Sequence, residues 1–273
     1  MRTSLTLFSP AKINVFFRVL CKREDGYHTI ASVVQCVDFG DTLTIFLTTK
    51  EDRFSCSDTT LSWNSSNLIY RAVELFRQQT QLRFYVSIHL QKRIPMQAGL
   101  GGGSSNAATV LYALNTLLQT GFSDQQLGEI GSVLGADVPC FFGLGRVFCE
   151  GIGEKVTLLE EKEEECWLAK PMALFLATPH VYACCTPKPG EVTSAYSFFD
   201  NDLEEAAFSL LPSLAQCKNK YLELGFTSVT MTGSGTAFVC RGNVKNPYLP
   251  NTIFIKVKSL FRQSGQWYLE RFL

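Results

Sequence analysis

The chain predicts an α+β fold of two domains, and three observations carry that expectation. Its 273 residues are enough for two domains of ordinary size. Hydrophobic residues make up 46% of it, enough to fill real cores. Strand and helix patterns mix without a regular strand–helix–strand alternation, which argues against a doubly wound sheet. No internal repeat is visible.

The elements follow in order. Residues 3–9 and 12–20 read as strands, broken at Ser9-Pro10. Asp25-Gly26 is a hairpin-turn signal. Residues 30–36 and 43–48 alternate like strands, and Asp38-Phe39-Gly40 between them reads as a turn. Residues 67–79 carry Leu68, Ala72, Leu75 and Phe76 on one helical face, with Asn67 as the N-cap. The β-branched run 85–92 is a strand. A helix at 105–119 buries Ala107, Val110, Leu111, Leu114 and Leu118. Ser123 and Gln126 form a capping box for the next helix, which ends near Leu134-Gly135. A short strand covers 146–149. The acidic run 160–165 is a solvated loop and the expected domain boundary, giving domains of 1–160 and 161–273. Beyond it, strands are expected at 172–177, 227–231 and 236–240. Helices follow Asn201-Asp202 and cover 212–223. A terminal hairpin is expected from 253–260 and 265–272.

The most telling stretch runs from Pro95 through Gly99, Gly101, Gly102 and Gly103 to Ser104 and Ser105. It links a strand to a helix N-terminus. Glycine lets backbone approach a ligand without a Cβ in the way. The unpaired N–H groups and positive dipole end of the helix suit a phosphate. No lysine ends the loop as a Walker A motif requires, and G-x-G-x-x-G fails in both registers. Asp38-Phe39-Gly40 precedes the loop and no His-Arg-Asp exists, so this is no protein-kinase pattern.

Composition excludes other classes. Net charge is zero and no basic stripe exists, which speaks against nucleic acid or an anionic membrane as the main partner. The ten cysteines follow no metal spacing and suit a reducing cytoplasm. The N-terminus does not read as a signal peptide, and no apolar run approaches the ~18 residues of a membrane span. His89 and His180 have no partner pattern and read as structural.

Other residues could carry chemistry. Lys12 and Asn14 share one strand face, either as the wet side of a sheet or as a polar site. Asp137, in Leu134-Gly-Ala-Asp-Val-Pro139, is either an N-cap or a catalytic carboxylate. Tyr27-His28 is either a hairpin exit or a ring and donor offered to a planar base. Thr232-Gly233-Ser234-Gly235 is either a plain hairpin turn or a site loop.

Together these stretches resemble the GHMP small-molecule kinase superfamily. The matching runs are Pro10-Ala-Lys-Ile-Asn14, Asp25-Gly-Tyr-His28, Asn67 to Ala72, Pro95 to Ala108, Leu134 to Pro139, Asn201 to Glu204 and Thr232 to Gly235. More narrowly, the chain resembles the branch that phosphorylates 4-diphosphocytidyl-2-C-methyl-D-erythritol in the non-mevalonate isoprenoid pathway. The resemblance implies a ribosomal-protein-like N-terminal domain and a ferredoxin-like C-terminal one. The latter is expected to be trimmed of its last helix, because residues 242–251 hold two prolines and three asparagines. It implies transfer of a phosphoryl group from ATP, with Mg²⁺, to the cytidine diphosphate-linked methylerythritol, giving its 2-phosphate. Lys12 and Asp137 would be the catalytic pair; the Lys12 cation would favour the charged carboxylate. Pro95, Gly99, Gly101, Gly102, Gly103, Ser104 and Ser105 would wrap the ATP phosphates. Asn67 and Leu68 would border the adenine. Asn14, Tyr27 and His28 would serve the cytidyl side, with Gly233 and Ser234 closing the site. The metal ligands are not visible in the sequence. Residues 181–187 depart from the pattern where a second base-stacking aromatic is expected, with Thr186 and Tyr196 as candidates. Two rival readings remain: a binding protein of the same fold without catalysis, and an RNA-binding module.

Overall fold

Two long strands organise the first half of the chain. The structure is a computed structural model and describes residues 3–190 and 199–268. β1 (Ser4–Lys22) and β2 (His28–Thr48) pair antiparallel along their length. The tight connection uses Asp25, which accepts a 3.0 Å bond from the Tyr27 N–H, and Gly26 at φ +85°. The expected breaks are instead irregularities inside continuous strands. Pro10 pairs with Gly40 and Ala11 with Val37, so Asp38 and Phe39 are extra residues of a bulge and not a turn. A proline cannot donate to the ladder, and a bulge absorbs the defect. A Cβ on Gly40 would lie 2.3 Å from the Ser9 carbonyl oxygen, which explains the glycine.

The first sheet has the order β3 (Arg53–Cys56), β4 (Tyr85–Gln91), β2, β5 (Arg146–Gly151) and β6 (Lys155–Leu158), with β1 also on β2. Helices α1 (Leu68–Thr80), α2 (Gly102–Leu118) and α3 (Asp124–Gly131) join it in a core that includes Leu43, Ile45, Phe76, Leu111 and Leu114. Asn67 caps α1 by accepting from the Ile69 N–H, and both bonds of the Ser123 capping box are present. The third helix stops at Gly131, earlier than expected, and the glycine there lets Val138 pack closely, since a Cβ would lie 2.5 Å from it.

The second sheet has the order β10 (Thr252–Lys258), β7 (Glu165–Pro171), β9 (Phe238–Arg241) and β8 (Ser228–Met231). It packs with α4 (Thr178–Cys184), α5 (Leu203–Leu210) and α6 (Ser213–Glu223). The strand expected at 172–177 lies at 165–171 instead. Pro171 ends the ladder, and Met172 and Phe175 stay exposed. Residues 242–251 carry no helix, as their prolines and asparagines suggest.

The terminal hairpin does not form among the described residues. Residues 259–268 return to the first core instead. The Trp267 indole donates to the Phe8 carbonyl at 2.8 Å, and Tyr268 is buried beside Cys36 and Gly143. Burying two large rings outweighs one more edge pairing. The acidic run follows β6 and ends inside β7 at Glu165, so it lies where the chain passes from the first sheet to the second, and the tail beyond β10 returns to the first core.

Candidate active site

A cavity of about 830 Å³ opens between the two sheets, within the range of small-molecule sites. The glycine-rich loop forms one wall. α2 starts at Gly102, three residues before the expected start, so Gly102 and Gly103 are its first turn and the loop proper ends at Gly101. Gly99 and Gly101 adopt φ +76° and +67°. A Cβ at Gly99 would meet the Thr232 carbonyl oxygen at 2.0 Å, and one at Gly101 would meet Lys12 Cγ at 2.8 Å. These two glycines therefore answer to protein neighbours as well as to open backbone. Gly103 is the exposed one, 3.2 Å from Leu68 at its would-be Cβ.

Lys12 and Asn14 do share a face, and it is the site face. The Lys12 ammonium donates to Asn14 Oδ1 at 2.8 Å and lies 3.5 Å from Asp137 Oδ2. The lysine side chain is 4% exposed and the aspartate 42%, so the cation is set deep and the carboxylate opens to the cavity. Asp137 is no helix cap: the short 3-10 turn Pro139–Phe142 follows Val138 and receives no side-chain cap. The Lys12 N–H donates to Leu100 O at 3.0 Å, tying β1 to the loop.

The opposite wall is aromatic. Tyr27 is 61% exposed at the hairpin exit. His28 is buried, and its ring lies 5.3 Å from that of Tyr182, tilted by 35°. Burial, with the Lys22 cation second, pushes the His28 imidazole below its ordinary pKa. Tyr182 is the residue that sequence reasoning missed. It stands on α4, one turn after Thr178, and both line the cavity. The i, i+4 spacing of Thr178 and Tyr182 was the available signal. Thr186 is exposed and does not line the cavity. Tyr196 lies outside the described residues.

The Thr232-to-Gly235 turn does join β8 to β9, and it also reaches the loop. The Ala237 N–H donates to Ala98 O at 3.1 Å, and the Asn14 N–H donates to Thr232 Oγ1 at 3.0 Å. Ser234 and Thr178 share a hydroxyl bond of 2.7 Å. Asn201 holds the turn in place by donating to Met231 O and Gly233 O, both at 2.7 Å. Asn67 keeps its amide busy as the α1 cap and as a donor to Ser62 O, while Leu68 and Pro95 line the cavity. Ser104 lines the cavity too, but Ser105 is fully buried and bonds Ser9 at 2.8 Å. His89 pairs with Ser55, which fits a structural role. Among the described residues no group of three or more acidic, histidine or cysteine side chains could hold a metal. No helix there is long and apolar enough to cross a membrane.

A half-buried cleft with a helix N-terminus on one side, rings on the other and a Lys–Asp pair between them defines a small-molecule kinase site of the GHMP type. Residues 67–145 match the family model of the GHMP kinases N terminal domain. The chain is 43% identical to the 4-diphosphocytidyl-2-C-methyl-D-erythritol kinase of Protochlamydia amoebophila, over 97% of this chain and 93% of the relative. It is 35% identical to the chloroplastic enzyme of that name from Arabidopsis thaliana, over 97% of this chain and 76% of the relative. A crystal structure of 4-(cytidine 5'-diphospho)-2C-methyl-D-erythritol kinase superposes with a TM-score of 0.75 at 32% identity, covering 88% of this chain and 90% of that one. Homoserine kinase from Cytophaga hutchinsonii shares the fold, with a TM-score of 0.70 at 17% identity over 98% of each chain. The chain belongs to the 4-diphosphocytidyl-2-C-methyl-D-erythritol kinase family.

Proposed function

We propose that this kinase transfers the γ-phosphoryl group of ATP to a hydroxyl of 4-diphosphocytidyl-2-C-methyl-D-erythritol, giving the 2-phosphate, and that Lys12 and Asp137 carry the chemistry. The observation that supports this most is the 3.5 Å Lys12–Asp137 pair, set between the phosphate loop and the aromatic wall. Asp137 faces the cavity, where it would align the substrate hydroxyl and take its proton. Lys12 would offset charge on the moving phosphoryl group while Asn14 holds its ammonium in place. The loop from Pro95 to Gly101 and the first turn of α2 would hold the phosphates, with the Ser104 hydroxyl among their donors. Asn67 and Leu68 would border the adenine. Tyr27, His28 and Tyr182 would receive the cytosine, and Gly233 and Ser234 would close the site.

Magnitudes separate binding from catalysis. A helix end contributes about 2 kcal/mol at most toward an anion. Kinases must remove about 8 kcal/mol or more from the barrier. Positioning and the Lys–Asp pair must supply the difference. Mg²⁺ fits this site as a partner of the nucleotide: without a carboxylate cage among the described residues, phosphate oxygens, water and the Ser104 hydroxyl would hold it. It would neutralise phosphate charge there. A cytoplasmic setting belongs to the same proposal, supported by ten cysteines that form no bridge.

Phosphorus NMR of the reaction mixture tests the reading. A new phosphomonoester on the methylerythritol is expected, at one per ATP consumed. Asp137→Asn should keep nucleotide affinity within a few-fold and lose roughly 10²-fold or more in turnover. A folded Asn variant with near-normal turnover would remove Asp137 from the mechanism.

A further inference from the structure

One carboxylate lies beneath the nucleotide loop, outside the cavity lining but bonded directly to two residues of it, Lys92 and Asn106. Asp41, on β2 just past the bulge, is fully buried. Its Oδ1 accepts the backbone N–H groups of Arg93 and Ile94 at 2.7 and 2.8 Å. Its Oδ2 accepts the Lys92 ammonium at 2.7 Å and the Asn106 amide at 3.0 Å. Residues 92–94 lead into the loop, and Asn106 stands in the first turns of α2, where the loop has just ended. Both ends of the loop therefore meet on the same side chain. Asn106 also donates to Ser9 Oγ at 2.9 Å, and Ser9 lies opposite Asp41 in the β1–β2 ladder.

We propose that Asp41 is the positioning residue of the nucleotide loop: it joins the strand that enters the loop to the helix that leaves it, and so sets where the phosphate-facing N–H groups point. A stabilising role alone explains the arrangement poorly. A buried ion pair is weak evidence for stability, because apolar residues of similar volume often hold a fold as well. All four donors come from the loop's two flanks, whereas an ordinary core pair would draw on any neighbour. Positioning also has a large effect on rate, since small misplacements of reacting groups are costly. The proposal rests on the reading that residues 95–104 hold the ATP phosphates.

Steady-state kinetics of the full chain decide it, with ATP and the cytidyl substrate varied in turn and thermal melts run alongside. Asp41→Asn keeps the volume but turns an N–H₂ toward a donor, so the four bonds cannot all survive. Its KM for ATP should rise roughly 10-fold or more, as for lost bonds to a buried charge, while the KM for the cytidyl substrate stays within about 2-fold. Should this variant not fold, Asn106→Ala decides, since it removes the exit-side tether, together with the bond to Ser9, and leaves the three entry-side bonds in place; a rise of roughly 3-fold in ATP KM alone is expected. Equal changes in both KM values, no change in either, or loss of the fold in both variants would assign the cluster to the core and overturn the proposal. Gly103→Val serves as the control. If it leaves ATP KM unchanged, the loop reading fails and takes the proposal with it. If it raises ATP KM while Asp41→Asn does not, only the positioning role fails.

Discussion

Under the proposed function, Tyr27 and Tyr182 would share the reception of the cytosine. Tyr27 stands largely in solvent after a turn, while Tyr182 is held on a helix against His28. Stacking of a base on an aromatic ring is worth about 1–3 kcal/mol. Tyr27→Ala and Tyr182→Ala should each raise the KM for the cytidyl substrate roughly 5- to 150-fold and leave that for ATP within about 2-fold. With two rings present, the single losses should fall toward the low end. Parallel changes in both KM values would move the cytosine elsewhere. His28 supplies a pH signature. Its imidazole titrates below the ordinary value of about 6.5 because burial disfavours the charge. The unfolded chain therefore takes up the proton first as pH falls. The stabilisation from the neutral ring is full above about pH 6.5 and is lost as pH drops toward the folded value. Melting temperature should fall more steeply from pH 6.5 to 5 in the wild type than in His28→Gln. Parallel curves would show that the ring titrates normally.

The glycine-rich loop and α2 act as a unit, but their glycines do different things. Gly103 faces the cavity with an ordinary helical backbone, so a side chain there meets only Leu68 and the space where the nucleotide would lie. Gly103→Val should leave the melting temperature nearly unchanged and raise the KM for ATP. Gly101 sits at φ +67° against Lys12. A β-branched residue there pays about 1–2 kcal/mol for the left-handed backbone and displaces the lysine. Gly101→Val should therefore lose stability and turnover together. If both variants behaved alike in melts and kinetics, this division of roles would be wrong. The sequence shows four glycines around a helix start, which suggests a phosphate loop, although two of them, Gly102 and Gly103, lie in the first turn of the helix. It could not show that Gly99 yields to Thr232, a residue more than 130 positions away, because that close approach exists only once the two sheets pack.

Across the whole molecule, the tail couples chain end to site. Arg262 donates to Phe142 O at 2.5 Å and to Gly143 O at 2.9 Å, on the turn that follows Asp137, and it pairs with Asp124 at 3.0 Å. Trp267 stacks on Tyr112 with ring centroids 4.8 Å apart. Trp267→Ala should cost about 3–5 kcal/mol as a large-to-small core change. The denaturant midpoint should fall with its slope unchanged. A loss under about 1 kcal/mol would mean that the tail merely rests on the surface.

Local chemistry was legible in the residues alone: the Asn67 and Ser123 caps, the glycine loop before α2, the shared face of Lys12 and Asn14, and the helix-free stretch at 242–251. Each depends on neighbours within a few positions, where backbone geometry and periodicity act directly. Packing decided the rest. Whether Pro10 breaks a strand or sits in a bulge depends on Gly40 across the ladder. Whether residues 265–268 form a strand depends on a core gap beside Phe8 and Phe142 that wide indole and phenol rings fill. Asp137 could have been a helix cap or an acid–base group by its local sequence. It caps no helix, and folding brings Lys12, 125 positions earlier, to within 3.5 Å; a pairing across that separation is written in no window of the chain short enough to read.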